Sequence, residues 1–193
     1  ESCYEAKVPF YWYIAPNYDA TITPRTMSRR GLMLGGEFRY LTPYGHGELS
    51  GEYLPSDNEY DSRDRSIVSM KHRGHPVERM DTLIDASRVS DKDYLTDLGD
   101  NLVSSSKTHL KREAEVAYHG RGWEADLRVL DFQTVDRTIA SADRPYKQLP
   151  RARFTAAPRQ KWLGMRFRLD SEVSEFDRDN SVTGHFCRGT AVN

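Results

Sequence analysis

The sequence predicts an all-β protein, an antiparallel up-and-down sheet, on three observations. Polar and apolar residues alternate with period two, short and long connections also alternate, and aromatic residues gather beside the short connections. The stretch from Pro9 to Leu54 sets the pattern that the rest of the chain repeats. From Leu32 onward, Leu32, Leu34, Gly36, Phe38 and Tyr40 share one face, and Met33, Gly35, Glu37 and Arg39 the other, as a pleated strand requires. Leu49, Gly51 and Tyr53 oppose Glu48, Ser50 and Glu52 in the same way. No stripe of helical period fits either segment.

Taken in order, alternation bounded by turn residues predicts about ten strands, over residues 8–15, 18–27, 31–41, 46–54, 65–73, 77–89, 108–119, 122–132, 148–156 and 161–176. Pro16-Asn17 closes the first of these, and Ser28 to Arg30 the second. Pro43 to Gly45, Gly74 to Pro76, Gly120-Arg121 and Pro158 to Gln160 supply further turns. In 122–132, Trp123, Ala125, Leu127 and Val129 oppose Glu124, Asp126 and Arg128. In 161–176, Leu163, Met165, Phe167, Leu169 and Val173 oppose Arg166, Arg168, Asp170 and Glu172. Two such faces require two environments.

The connections 55–64, 90–107 and 133–147 are long and polar. In an up-and-down sheet every second connection returns to the same edge, so these gather at one end and the short turns at the other. Outer-membrane barrels have this asymmetry. Tyr40, Tyr44, Tyr118, Trp123 and Trp162 stand beside the short turns, where an interfacial girdle would lie. Strands favour aromatics in any case, so the set counts and no single member does.

Over 193 residues, 28 basic and 29 acidic side chains leave a net charge of -1, so there is no electrostatic footprint for nucleic acid. Mean hydropathy is -0.75, and no apolar run approaches the roughly 20 residues of a membrane helix. That excludes a helical membrane protein and says nothing against a transmembrane barrel, whose two faces average to a polar value. Cys3 and Cys187 stand near opposite ends, too few for a disulfide scaffold and without metal-ligand spacing. ESCYEAKV has no basic region followed by an apolar run, so no signal peptide is visible.

No phosphate loop, GxSxG elbow, HExxH or paired-cysteine motif occurs. His72 and His75 flank a turn, as surface histidines commonly do, and no metal or cofactor is assigned. Glu48 with Glu52, and Asp81 with Asp85, share strand faces with Glu37, Arg39, Arg79 and Arg88. These read as a solvated, charge-balanced face rather than acid-base pairs, and no enzyme is expected.

The stretch PFYWYIAPNYDATITPRTMSRRGLMLGGEFRYL, followed by GEYLPSD, closely resembles the barrel region of the LPS-assembly (LptD, or organic solvent tolerance) family. RVSDKDYLTDL and PYKQLPRARF resemble the same family in the expected order, so the likeness covers most of 9–186. It implies an antiparallel outer-membrane barrel of about 26 strands that moves lipopolysaccharide to the outer leaflet. The family's LptE lipoprotein plugs the lumen, and LptA delivers lipid through a periplasmic domain not visible here. Residues 1–186 would then be part of the barrel domain, roughly its second to eleventh strands, and 187–193, CRGTAVN, departs from the pattern.

The resemblance also gives prolines a role. In this family they weaken pairing near the seam between first and last strands, opening a lateral gate for lipid, and Pro9 matches the second-strand proline. Proline lacks the N–H that a ladder needs. Pro24 removes another donor, with a bulge that bends the strand as its alternative role. In a barrel Glu37, Arg39, Glu48, Glu52, Asp81, Asp85, Glu124, Asp126, Arg128, Arg166, Arg168 and Asp170 would face the lumen. Leu34, Phe38, Leu49, Leu127, Leu163, Phe167 and Leu169 would face lipid. A soluble β-sandwich or jelly-roll lipid-binding module is the alternative, since it too needs alternating strands.

Overall fold

A computed structural model describes residues 4–99, 108–140, 143–158, 166–177 and 184–192, the last as backbone only. Among them are β1 (Glu5–Lys7), β2 (Phe10–Ala15), β3 (Tyr18–Met27), β4 (Gly31–Thr42), β5 (Gly45–Asp57), β6 (Arg63–Gly74) and β7 (Met80–Val89). After α1 (Tyr94–Leu98) come β8 (His109–Gly120), β9 (Trp123–Thr134), β10 (Lys147–Ala156), β11 (Arg168–Asp177) and β12 (Gly184–Val192). All the strands belong to one antiparallel sheet that follows chain order from β3 to β12, with β1 and β2 both on β3. The fold is the all-β meander that the alternation predicts.

Lys7 pairs with Arg25 and Phe10 with Ile22, so β1 and β2 continue one register along β3. They are one edge strand, interrupted at Val8 and Pro9, where Pro24 across from Val8 cannot donate to the ladder. The hairpin β5–β6 climbs beyond its predicted ends through a bulge between Leu54 and Asp57, which leaves only 58–62 as its loop. The segment predicted over 77–89 begins at Met80, because Pro76 and the positive φ of Arg79, 66°, belong to the turn. Within 161–176, residues 161–165 lie outside the described part, and the strand begins at Arg168. Neither α1 nor β12 was legible in the alternation, and the backbone of 187–192 continues β12 alongside β11.

Among the described residues, the buried core cluster forms at the long-loop end. Met27, Met33, Leu54 and Val89, from four strands, pack with Tyr94, Leu95 and Leu98 of α1 and with Leu110 and Val135. Here the 90–99 segment folds back over one face of the sheet. A helix of five residues is too short to stand by itself, and its packing supplies what its length does not.

Candidate functional site

Cross-strand pairing assembles a charged face. Asp19 lies opposite Arg39, Arg39 opposite Glu48, Glu48 opposite Lys71, and Lys71 opposite Asp85, so the sign changes at every step across five strands. Arg39 Nε donates to Asp19 at 2.8 Å, and Lys111 Nζ reaches Asp85 at 3.0 Å and Glu113 at 2.6 Å. Glu113 also meets Arg128. Farther on, Arg151 bonds Glu172 at 3.0 Å and Arg168 bonds Asp170 at 2.8 Å. Opposite charges directly across a ladder stabilise it, and a lining of this kind is polar while holding little net charge.

Register places Glu37, Arg39, Glu48, Glu52, Asp81, Asp85, Glu124, Asp126, Arg128, Arg168 and Asp170 together on this face. Arg166 precedes β11, outside any strand. At the short-turn end His119 Nε2 lies 2.8 Å from Asp81, which also meets His75. Among the described residues no group of three or more His, Cys, Asp or Glu is placed to hold a metal ion. One row nearer the long loops, Thr21, Glu37, Ser50, Ser69 and Ser87 lie opposite one another. The first four, with Thr23 and Glu52, floor a cavity of about 390 Å³ beneath Tyr94 and Leu95.

The reverse face is apolar and, among the described residues, uncovered. Leu34, Leu49, Leu127 and Leu169 lie on it, 44 to 55% exposed, against 1% for Met33 and 0% for Leu54 on the charged face. Phe38 joins them, opposite Leu49. Phe167 precedes β11, and Leu163 lies outside the described residues. So large an exposed apolar surface is foreign to a protein surrounded by water. Towards the short turns it carries aromatic ladders, Tyr18–Phe38–Tyr40–His72 with ring centroids 5.9 to 6.3 Å apart and Tyr118–Trp123–Phe154 at 5.2 and 5.9 Å. Tyr40 crosses Gly47 to bond His72 Nδ1 at 2.6 Å, and a Cβ at Gly47 would collide with the Tyr40 hydroxyl. Of the predicted girdle, Tyr40, Tyr118 and Trp123 sit in these ladders, and Trp162 lies outside the described residues.

At the edge, Val8 N donates to Pro24 O at 3.1 Å. That pair would exchange two bonds in a regular ladder, and Pro24 has no hydrogen to return. The register of β3 on β4 runs unbroken from Tyr18 opposite Tyr40 to Met27 opposite Gly31, so Pro24 makes no bulge. Successive amides in a strand alternate sides, so the Pro9 nitrogen is turned away from β3, towards the free edge.

The sequence profile of the LptD family, described as LPS transport system D, matches residues 63–186. The chain is 43% identical over 89% of its length to the LPS-assembly protein LptD of Nitrosococcus oceani. It is 40% identical over 97% of its length to that of Acinetobacter baumannii, and 36% over 97% to that of Vibrio vulnificus. This chain belongs to the LptD family. It spans about a quarter of the length of these relatives, 23 to 25%.

In this LptD chain the residues that alternation passed over hold the long-loop end together. Arg65 is fully buried, with Asp57 at 3.1 Å, Asp91 at 2.7 Å and Asp97 at 2.8 Å. Tyr60 lies over its guanidinium, 4.2 Å from ring centroid to carbon, and Arg30 bonds Asp57 at 2.7 Å. Arg25 Nη1 caps α1 by donating to Leu98 O at 3.1 Å, and the Tyr94 hydroxyl donates to Glu52 at 2.8 Å. Burial works against the Asp91 charge, but Arg65 and the Ser90 hydroxyl outweigh it and hold that carboxyl below the usual range. Burial, with the Glu52 charge, pushes the Tyr94 phenol up. The sequence signal was faint: Tyr94, Leu95 and Leu98 after Asp93 make little more than one helical turn.

Proposed function

We propose that this chain is a segment of the outer-membrane barrel of an LptD protein, which inserts lipopolysaccharide into the outer leaflet. The observation that carries this reading is the division of one sheet into an uncovered apolar face and a self-paired charged face. In a barrel the first meets lipid and the second lines the lumen. The lumen-facing set is then Glu37, Arg39, Glu48, Glu52, Asp81, Asp85, Glu124, Asp126, Arg128, Arg166, Arg168 and Asp170. The lipid-facing set is Leu34, Phe38, Leu49, Leu127, Leu163, Phe167 and Leu169. Residues 1–186 belong to the barrel domain, whose remaining strands continue from the two sheet edges. The family resemblance adds LptE as lumenal plug and LptA as periplasmic supplier of lipid.

Pro9 and Pro24 serve the lateral gate in this reading. Pro24 leaves the Val8 pair with a single bond, and Pro9 withholds a donor from whatever strand lies beyond the free edge. Where water cannot compensate, each missing bond weakens pairing more than it would in solution. A soluble sandwich or jelly roll would instead cover the apolar face with a second layer, and all the described strands lie in one sheet. Nitroxides at neighbouring Leu49 and Glu48, in the full-length protein in bilayers, test the reading. Oxygen, soluble in lipid, should relax the first and a water-soluble nickel chelate the second; the reverse pattern overturns the assignment.

A further inference from the structure

The ladder between β7 and β8 stops short. It runs from Met80 opposite Tyr118 to Ala86 opposite Arg112, whereas β7 continues on β6 to Val89 and β8 begins at His109 on β9. For three rows the two strands therefore lack main-chain pairing. The side chain of Gln133, from β9, bridges the split: Val89 N donates to its Oε1 at 3.2 Å, and its Nε2 donates to Val89 O at 2.9 Å. Arg112 Nη2 donates to the same Oε1 at 2.8 Å and Nη1 to Asp131 at 3.2 Å.

On the outer side, the upper margin of the apolar face lies beside this split. Arg88, grouped from the sequence with the charge-balanced face of Asp81 and Asp85, instead stands opposite Val68 and is therefore on the apolar face, because it differs from them in parity along β7; it lies one row above Met70 opposite Ala86. It is exposed, and among the described residues it has no hydrogen bond or ion pair. Arg112, opposite Ala86, is its neighbour on the same face, its charge partly answered by Asp131. A guanidinium with no partner among the described residues, at the upper border of the apolar band and at the long-loop end, is placed to take an anion at that height. The planar fork of Arg suits phosphate oxygens two at a time.

We propose that Arg88, beside the β7–β8 split, binds the headgroup phosphate of an anionic lipid whose acyl chains run down the wall over Val68 and Met70. This rests on the reading that the apolar face meets lipid. The site is on the outside of the sheet, five strands from the proline edge, and so is separate from the gate. A lipid phosphate fits both requirements together, apolar contact below and a bidentate cation above, whereas a soluble anion meets only the second.

The test uses the full-length protein in bilayers, in a single-cysteine background, with bimane attached at Val68→Cys. Brominated phosphatidate should quench the probe more strongly than brominated phosphatidylcholine at equal mole fraction. Arg88→Gln should cut that preference about fivefold, the scale of one basic side chain at a charged membrane surface. Arg88→Lys should restore part of it, and Arg73→Gln, on the charged face, should leave it unchanged. Equal quenching by both lipids, or a preference that survives Arg88→Gln, overturns the proposal while leaving the lipid-facing assignment intact. Quenching by neither lipid overturns both.

Discussion

Arg65 grips Asp91 with both edges of its guanidinium, Nε to Oδ2 at 3.0 Å and Nη2 to Oδ1 at 2.7 Å. This bidentate pair fastens the 90–99 segment to the sheet across a sequence distance of 26 residues. Breaking a buried ion network by removing one partner leaves uncompensated charge, at a cost of about 3 to 5 kcal/mol. Arg65→Ala is expected to detach α1 while the strands remain paired. The amides of Asp97 and Gly99, which donate to Asp93 O and Leu95 O, should lose hydrogen-exchange protection, and those of β9 and β10 should keep theirs.

Acid should loosen the same segment. Because the Asp91 carboxyl is held below its ordinary value when folded, its contribution is complete above the unfolded carboxylate pKa, about 4. It is lost as pH falls through the lower, folded value. Proteolysis within 90–99 in the full-length protein should be constant from about pH 5 to 8 and should rise below about pH 4. Asp91→Asn should raise it at neutral pH and flatten the acid step.

The two faces should tolerate charge differently. Leu127 is 49% exposed on the apolar face. If that face meets hydrocarbon, Leu127→Arg should cost about 2 to 4 kcal/mol near the membrane midplane. Thr155 lies on the charged face, where its hydroxyl donates to Asp170 at 3.0 Å, and an arginine there gains that carboxylate as a partner. Thr155→Arg should change stability by no more than about 1 kcal/mol. Urea unfolding of the full-length protein in detergent micelles measures both.

Most of the wall was legible in the sequence because a strand states its faces residue by residue. Glu37, Arg39, Glu48 and Glu52 needed only parity to be grouped, and the observed register keeps them together. The lid was not legible, since Arg65 reads as one more charge at a strand start, and its three aspartates come from β5, the 90–107 connection and α1. No periodicity links residues brought together by a loop folding back. The β7–β8 split is hidden for a related reason: Arg88 and Arg112 are isolated charges at apolar positions of their own strands, and only the pairing shows that the ladder between them has ended. Parity was enough to place Pro9 and Pro24 in strands, but not to say which neighbour each deprives of a bond.

That distinction gives the two prolines separable effects. Pro24→Ala supplies the hydrogen missing from the Val8 pair, where only the 3.1 Å bond from Val8 N to Pro24 O now exists. The added bond is worth about 0.5 to 1.5 kcal/mol in water and more where no water competes. Amides of Phe10 and Trp12, on the same edge strand, should exchange more slowly. Pro9→Ala supplies a donor that points off the free edge, so it should leave those amides unchanged unless another strand abuts that side. In the full-length protein, where the family resemblance puts the seam beyond this edge, Pro9→Ala should therefore slow lipopolysaccharide export. Pro24→Ala, which tightens pairing one strand farther in, should slow it less. Surface lipopolysaccharide in cells carrying each variant as sole copy, with folded barrel measured in parallel, separates the cases. Equal export defects, or a defect that tracks loss of folded protein, would leave both prolines with a part in folding and none in the gate, because a donor restored at the seam should act without destabilising the barrel.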